Sequence, residues 1–455
     1  MNRPRTGWIA ATALAAATCT AGVGQASPAR VSRAAAAAAV PACAPPVSGR
    51  ARILLDRVPS LISAQMTPTR DGGVVLAFAS YRGSPEFPGK RFTVLKLDAT
   101  GCTRWRASLP GGWPLARPVQ PDARSIVVGA ATPNALGLYT LSATTGRVLR
   151  RDLFGALVPT GGIAPTLLAD ARGDVAAVLA GRAPGRSGGA TFRLTRRAGS
   201  VRWSRLEIAR GGTGAPAAAA LADGRMVVGY PRRGRFLVRG GSITGAFGAP
   251  SDAGPISRNF RASAVALGRD GTAAAVWEST TYSLPWRLRA AVRPAHGRGV
   301  ARVAQLGAAQ GRPGTLLAGA APAAQVSADG RVTVGFAAPD DRSMCATATP
   351  AGRFARPQVV ASAVSGLDSD VPALIFGRPG SAAAVASTLT PDEQTIVSRL
   401  VTVGPGCRAR ASAPLDPAAS PPVQLALDAR DRIWALGQQA PTVDARRPLL
   451  LTIAG

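Results

Sequence analysis

One pattern of polar and apolar positions recurs along most of the chain. A short polar turn is followed by a run rich in Val, Ala and other residues that suit strands. Asp-Gly between two such runs is typical of a two-residue hairpin turn, because Gly tolerates positive φ. Successive turns lie 47 to 59 residues apart. The eight phrases are TRDGGVVLAF from Thr69, PDARSIVVGA from Pro121, ADARGDVAAVLA from Ala169, LADGRMVVGY from Leu221, GRDGTAAAVWE from Gly268, SADGRVTVGF from Ser327, GRPGSAAAVAS from Gly377 and LDARDRIWAL from Leu427.

A second hairpin follows the first in the early units, as in RFTVLKLDATGCTRWRASL. An identical offset from the turn keeps the same face of an alternating strand buried, since a slip of one residue inverts every side chain. The seventh unit reads LVTVGPGCRARAS and aligns Gly406 with Gly101. A turn Gly precedes a Trp or an Arg by four residues in three units: Gly101 and Trp105, Gly146 and Arg150, Gly199 and Trp203.

A period of about 50 residues with four short strands is typical of a β-propeller blade. The pattern predicts an all-β propeller of eight blades with four antiparallel strands each. Seven blades is the alternative, and an open repeat array ranks third. Leu450 precedes Gly455 by five residues, as Leu141 precedes Gly146, so the last unit lacks its fourth strand. We expect residues 50–57 to supply that strand and to close the ring, which also removes an exposed edge.

The second hairpin resembles the repeat of quinoprotein-type (PQQ-like) β-propellers, whose motif runs Leu-Asp-Ala-x-Thr-Gly-x-x-x-Trp. The resemblance implies the propeller fold, and it implies that Trp105 and Trp203 pack between neighbouring blades. It does not extend to a quinone-binding or metal-ligating set, so we expect no PQQ, no other cofactor and no metal. The matching residues are Leu141, Ala143, Thr145 and Gly146, then Leu97, Asp98, Ala99, Thr100, Gly101 and Trp105 with one residue deleted, and more loosely Leu194, Gly199 and Trp203.

The first 26 residues have the pattern of a secretory signal peptide. Arg3 and Arg5 form a basic segment, residues 8–23 are apolar, and residues 24–26 give a small-x-small cleavage site. A membrane anchor is an alternative, but the run is rich in Ala, whereas a spanning helix needs about 20 strongly apolar residues. Cys19 leaves a lipoprotein as a further alternative. We therefore expect a secreted protein, in the extracytoplasmic space or the cell envelope.

The rest of the chain divides into two parts. Residues 27–49 are rich in Ala and Pro, and we expect a flexible lead-in. Residues 50–455 form a single propeller domain. No later segment is apolar enough to span a bilayer, so we expect no integral membrane segment after signal removal.

Four cysteines follow the signal peptide, and an even number in a secreted chain predicts disulfides. Four cysteines allow three pairings. The repeat favours Cys43–Cys102 and Cys345–Cys407. Cys102 and Cys407 each follow a turn Gly, and their partners lie at nearly equivalent positions about one unit earlier.

The chain is strongly basic, with 54 Lys and Arg against 24 Asp and Glu and a formal net charge of +30. Such a charge raises the question of nucleic-acid binding. Lys90 and Lys96 are the only lysines, and the arginines are scattered singly rather than clustered in one stripe. We therefore predict no nucleic-acid partner, and only unspecific attraction to anionic cell-wall or lipid surfaces.

The sequence offers no set of residues for catalysis. His296 is the only His, so a Ser-His-Asp or Cys-His centre would need it, and it lies in the Gly/Pro turn RPAHGRG. Asp340–Asp341 and Asp392–Glu393 are adjacent carboxylates, whose side chains point apart rather than forming an acid–base pair. We assign no catalytic residue.

The connections opposite the tight turns are the predicted binding face, because recognition loops commonly lie on such rigid scaffolds. They span residues 80–90, 230–236, 278–286 and 338–344. The sequence thus predicts a secreted, monomeric binding or scaffold module whose partner is a protein or a cell-wall glycan. The alternative is a propeller-type carbohydrate-active enzyme, a hydrolase or lyase, with a carboxylate pair on this face or in the channel. The candidate ligand-binding residues are Tyr81, Phe87, Tyr230, Arg232, Arg233, Tyr282, Trp286, Asp340 and Asp341.

Overall fold

A computed structural model gives the fold of the chain. It describes Cys43 and residues 50–454 with internal gaps, so the predicted signal peptide lies outside the described residues. The gaps are 60, 81–90, 133–134, 156–157, 160–163, 183–188, 212–213, 258, 281–285, 296–298, 300–302, 310–320, 339–341, 363–373, 379, 390–395, 417–421 and 439–446.

The described residues form eight antiparallel sheets, each with one radial series of four strands, and these are the blades. Blade 1 contains β2 (Leu61–Pro68), β3 (Val74–Ser80), β4 (Arg91–Leu97) and β5 (Thr103–Pro110). Blade 2 contains β6 (Gly112–Leu115), β7 (Ser125–Thr132), β8 (Ala135–Ser142) and β9 (Val148–Phe154). Blade 3 contains β10 (Val158–Pro159) and β11 (Thr166–Ala169), which both pair with β12 (Val175–Arg182), then β13 (Gly189–Arg196) and β14 (Ser204–Arg210). Blade 4 contains β15 (Ala217–Ala220), β16 (Arg225–Arg232), β17 (Arg235–Ser242) and β18 (Ser251–Pro255).

The second half of the ring repeats this order. Blade 5 contains β19 (Asn259–Leu267), β20 (Ala273–Thr280), β21 (Trp286–Arg293) and β22 (Val303–Ala309). Blade 6 contains β23 (Ala323–Val326), β24 (Val332–Ala337), β25 (Arg342–Ala348) and β26 (Gln358–Ser362). Blade 7 contains β27 (Ile375–Phe376), β28 (Ala382–Leu389), β29 (Ile396–Val403) and β30 (Ala409–Pro414), with a 3₁₀ turn at Pro405–Cys407. Blade 8 contains β31 (Pro422–Leu427), β32 (Ile433–Gly437), β33 (Arg447–Ala454) and β1 (Arg52–Val58).

The prediction of eight four-stranded blades is confirmed. The strand expected at residues 50–57 is β1, which pairs antiparallel with β33 as the outer strand of blade 8. Arg52 lies opposite Leu451, and Val58 lies opposite Arg447. The last blade is therefore assembled from two distant parts of the chain.

Alternation along the strands packs each blade against both neighbours. In β3, Val75 and Ala77 belong to the core between blades 1 and 2, whereas Val74 and Leu76 belong to the core between blades 8 and 1. The same division in the other blades gives eight apolar clusters, one at each blade interface. The core is thus a ring of interfaces, and each sheet is buried on both sides because the hydrophobic effect acts on both faces.

Both predicted disulfides are present. Cys43–Cys102 fastens the segment before β1 to the second hairpin of blade 1. Cys345–Cys407 joins β25 of blade 6 to the 3₁₀ turn of blade 7. Cys345 and Cys407 are buried in the core between these two blades. No helix in the described part of the chain is long and apolar enough to cross a membrane.

Candidate functional site

The antiparallel order divides the ring into two faces. The turn between the first and second strands of a blade and the turn between the third and fourth share one face, here named the hairpin face. The other connections lie on the opposite face, here named the loop face. Five of the candidate ligand-binding residues fall outside the described residues, and Trp286 begins β21. The five are Tyr81, Phe87, Tyr282, Asp340 and Asp341.

The segment at residues 230–236 corrects one expectation. It is not a long loop but the end of β16, a two-residue turn and the start of β17. Arg233 and Gly234 both have positive φ, at 48° and 75°, as a tight primed hairpin turn requires. Tyr230 lies within the strand and is 1% exposed in the core between blades 3 and 4. Tyr230, a candidate ligand-binding residue, is therefore not accessible on this face, whereas Arg232 is half-buried and Arg233 is exposed.

Carboxylates on the hairpin face hold the turns. In blade 8, Asp428 Oδ1 accepts hydrogen bonds from the backbone N–H groups of Arg430 and Arg432, at 2.8 and 3.1 Å. Its Oδ2 accepts from Trp434 Nε1 at 3.1 Å and from Arg432 Nε at 2.8 Å. Other carboxylates in the turn between the first and second strands of a blade also accept backbone or side-chain hydrogen bonds, so they stabilise these turns. They are Asp71, Asp122, Asp170, Asp223, Asp270 and Asp329.

Such contacts lower the pKa of the Asp428 and Asp71 carboxyls. Burial alone would raise the pKa of the Asp428 carboxyl, but the hydrogen bonds from Trp434, Arg430 and Arg432 hold that pKa below its ordinary value. Asp71 follows the same rule: burial opposes ionisation, but the hydrogen bonds from Lys96, Thr69 and Gly73 and the Lys96 charge together lower its pKa. A lowered pKa keeps these carboxyls ionised near neutral pH, which suits turn stabilisation rather than proton donation.

The inner strands surround the central channel. Within the described strands β2, β6, β11, β15, β19, β23, β27 and β31, no residue is Asp or Glu. Arg117, just after β6, is exposed to solvent, and yet desolvation lowers the pKa of its guanidinium. Its Nε donates to Thr67 Oγ1 at 3.3 Å.

Trp105 fills the interface between blades 1 and 2. It is 2% exposed, and Nε1 donates to the carbonyl oxygen of Ala143 in blade 2 at 2.9 Å. Its ring lies so close to Gly146 that a Cβ there would come within 2.5 Å of it. Ile126 and Leu141 of blade 2 belong to the same cluster. The expectation that Trp105 packs between blades is confirmed.

Trp203 also lies between blades, but it faces the opposite way. Its Nε1 donates to Asp152 Oδ2 of the preceding blade at 2.9 Å, and its ring meets Phe154 edge-on. Trp105 and Trp203 thus share an offset of four residues from the turn Gly but point to opposite faces of their blades. In blade 3, Ser204 is the residue opposite Thr195, and Trp203 precedes the strand. In blade 1, Trp105 is already within the strand, beside a bulge.

A cavity of about 670 Å³ opens between blades 7 and 8, and it is here named the 7/8 cavity. Its apolar lining includes Leu400, Ala413, Ile433 and Ala454. Leu400, Ile433 and Ala454 are almost wholly buried. The volume falls within the range of about 300–1,000 Å³ that is common for small-ligand sites.

Small residues at matched register positions account for this cavity. Thr402 lies opposite both Ala383 and Ala411 in blade 7. The equivalent row in blade 1 places Lys96 opposite both Val75 and Trp105. On the other side of the interface, Ile433 pairs with Ala454 where Ile126 of blade 2 pairs with Leu141. All four differences reduce side-chain volume: Val75 to Ala383, Lys96 to Thr402, Trp105 to Ala411 and Leu141 to Ala454.

Polar groups lie at the edge of the 7/8 cavity. Arg50, Thr402, Ser412 and Asp431 contribute to its lining, and Arg50 is exposed. Asp431 Oδ1 accepts a hydrogen bond from Ser381 Oγ across the interface at 2.7 Å. An apolar floor with a few polar groups around it is the usual composition of a binding site. The sequence did not predict this site. Its only signal is small side chains at positions that can be identified only once the strand register is known.

No protein-family model matches the chain, and no curated protein sequence matches it significantly. Among solved structures, the Dos1 propeller aligns over 90% of this chain and 94% of its own, at 8% identity and a TM-score of 0.49. The β-propeller domain of the Trilobed protease from Pyrococcus furiosus aligns over 80% and 97%, at 11% identity and a TM-score of 0.42. The six-bladed fungal lectin from Aleuria aurantia aligns over 68% and 98%, at 14% identity and a TM-score of 0.37.

Proposed function

We propose that the protein is an extracytoplasmic binding module that recognises a protein or a cell-envelope glycan through the 7/8 cavity. The observation that carries the proposal is the cavity itself, about 670 Å³ with an apolar floor and four polar side chains at its edge. The cavity is open to solvent where Ala411, Ser412 and Pro414 are exposed, so a partner can reach its apolar floor. The ring around it is held by eight packed interfaces, which gives a preorganised site.

The compartment is part of the same proposal. Two disulfides, Cys43–Cys102 and Cys345–Cys407, suit an oxidising environment outside the cytoplasm. The N-terminal sequence pattern of a signal peptide supports the same location. The intact mass of the exported protein tests this part of the proposal. A mass that begins near residue 27 supports a free secreted protein, whereas an acylated Cys19 would indicate a lipoprotein.

Substitution of Ala411 by Trp tests the site directly, because it restores the residue type that fills the matching position in blade 1. Ala409 is exposed on the same strand and does not line the cavity, so Ala409→Trp is the matched control. The purified protein and both variants are immobilised and exposed to envelope extract, split into a protein fraction and a protease-treated polysaccharide fraction.

We expect the native protein and Ala409→Trp to retain the same component saturably. Ala411→Trp should retain it at least about tenfold less, a loss equal to about 1.4 kcal/mol of binding free energy. Equal retention by Ala411→Trp would remove the cavity from the proposal. The absence of saturable retention from both fractions would remove the binding function.

A further inference from the structure

The interface between blades 1 and 2 shows what fills the corresponding space elsewhere in the ring. There the indole of Trp105 packs against Ile126 and Leu141. Its N–H reaches a backbone oxygen of blade 2, Ala143 O, at 2.9 Å. The interface between blades 7 and 8 keeps the equivalent Ile433 and reduces the other positions to Ala411 and Ala454. The fold therefore retains part of the wall of an aromatic site without its ring.

We infer that the 7/8 cavity receives an aromatic side chain, of the Trp type, presented by a partner protein. This inference rests on the proposed binding function and names the chemistry of its ligand. Burial of an aromatic ring removes a large apolar surface from water, and such anchors dominate protein interfaces. The cavity exceeds one ring in volume, so it can also admit the residues beside the anchor.

The floor of the cavity favours a flat apolar ring over a sugar. Leu400, Ile433 and Ala454 offer only methyl and methylene groups to the bound molecule. A sugar carries hydroxyls around its rim, and each buried hydroxyl without a partner costs free energy. An indole has one polar group to satisfy.

The edge of the cavity supplies hydrogen-bond acceptors for the indole N–H. In blade 2 the indole N–H is accepted by the turn that joins the third and fourth strands. In blade 8 these strands are β33 and β1, which no hairpin turn joins. Asp431, Thr402 and Ser412 line the 7/8 cavity, and the side-chain oxygen of any of them can accept an indole N–H. The Arg50 guanidinium at the same edge can lie over an aromatic face.

Titration with small probes tests this inference on the whole secreted protein. The probes are indole, N-acetyltryptophanamide and a chitooligosaccharide, and binding is followed by calorimetry and by ligand-observed NMR. Four proteins are compared: the native chain, Ala411→Trp, the milder Ala454→Leu and the control Ala409→Trp. Ala454→Leu restores only the Leu141-type side chain, so it keeps the test usable if the larger replacement disturbs folding.

Indole should bind the native protein and Ala409→Trp with a Kd of about 1 mM or below, as expected for a fragment of this size. Ala411→Trp should weaken binding at least about tenfold, and Ala454→Leu should weaken it by a smaller factor. The inference would be overturned if indole failed to bind the native protein at about 10 mM. It would also be overturned if indole bound Ala411→Trp and Ala454→Leu as tightly as it binds the native protein. Binding of the saccharide alone, abolished by Ala411→Trp, would overturn the aromatic ligand and leave the proposed binding function intact.

Discussion

Trp105 in blade 1 and Ala411 in blade 7 occupy the same register position, opposite Lys96 and Thr402 respectively. One residue fills its blade interface, and the other contributes to a cavity at an equivalent interface. The two positions therefore offer a direct comparison between a filled and an unfilled site at equivalent places in one ring.

Ala411→Trp should stabilise the fold as well as block the cavity. A side chain that fills a void in a rigid frame commonly adds about 0.5–2 kcal/mol to the free energy of unfolding. Ala409 and Ala411 are both exposed, but only Ala411 lines the cavity, so the denaturant midpoint should rise for Ala411→Trp and should not change for Ala409→Trp. A lower midpoint for Ala411→Trp would mean that the cavity walls cannot accommodate an indole.

Gly146→Ala and Gly199→Ala separate backbone strain from steric contact. Both glycines have positive φ, at 69° and 72°, so each replacement places Ala in the left-handed region at a cost of about 1–2 kcal/mol. A Cβ at Gly146 would also strike the Trp105 ring, whereas a Cβ at Gly199 meets nothing within 4 Å. We expect Gly146→Ala to be more destabilising than Gly199→Ala by about 1–3 kcal/mol in urea unfolding.

A double-mutant cycle with Trp105→Ala identifies the cause of that difference. Trp105→Ala alone should cost about 3–5 kcal/mol, and it should also remove the steric part of the Gly146→Ala penalty. The losses of unfolding free energy in Gly146→Ala and Trp105→Ala, added together, should then exceed the loss in the double variant. Strict additivity would contradict the contact between the two residues.

Asp428 should make the protein sensitive to acid. Its pKa is lower in the folded state than the ordinary value of about 3.9. Its contribution to stability is therefore complete above that value, and it is lost as the pH falls through the folded pKa. Asp428→Asn should lower the melting temperature at pH 7 and should flatten its dependence on pH below about 4. An unchanged acid slope in Asp428→Asn would contradict this role.

The two disulfides should differ in their access to reductant. Each closes a loop of about 60 residues, so each is expected to contribute about 4 kcal/mol. Cys345 and Cys407 are buried, whereas Cys43 is only half-buried. Native-state reduction followed by alkylation and mass spectrometry should therefore label Cys43 and Cys102 first, because thiol exchange requires access to a sulfur. Earlier labelling of Cys345 would contradict the burial.

The fold was accessible to sequence reasoning because its signals are local and repeated. The Asp-Gly turns mark the blades, and the spacing from Leu450 to Gly455 identifies the missing strand that β1 supplies. The cysteine pairing followed from the same repeat, since equivalent cysteines near turns occupy equivalent places in the blades.

The site was not accessible, because it depends on register. Counting four residues from Gly406 reaches Arg410, but the 3₁₀ turn at Pro405–Cys407 shifts the pairing and places Ala411 opposite Thr402. Tyr230 was misassigned for a related reason, since Arg233 and Gly234 form a tight turn that leaves the Tyr within the strand. A bulge or a turn type changes the face of a side chain and leaves little trace in spacing.

The pairing of β1 with β33 also sets the order of events during synthesis. β1 is among the first strands made, and its partner is among the last, so blade 8 waits for nearly the whole chain. Contacts so distant in sequence form slowly, and unpaired strand edges are prone to aggregation during the delay. A chain still emerging from the ribosome can pair the strands of blades 1 to 7 but cannot complete blade 8.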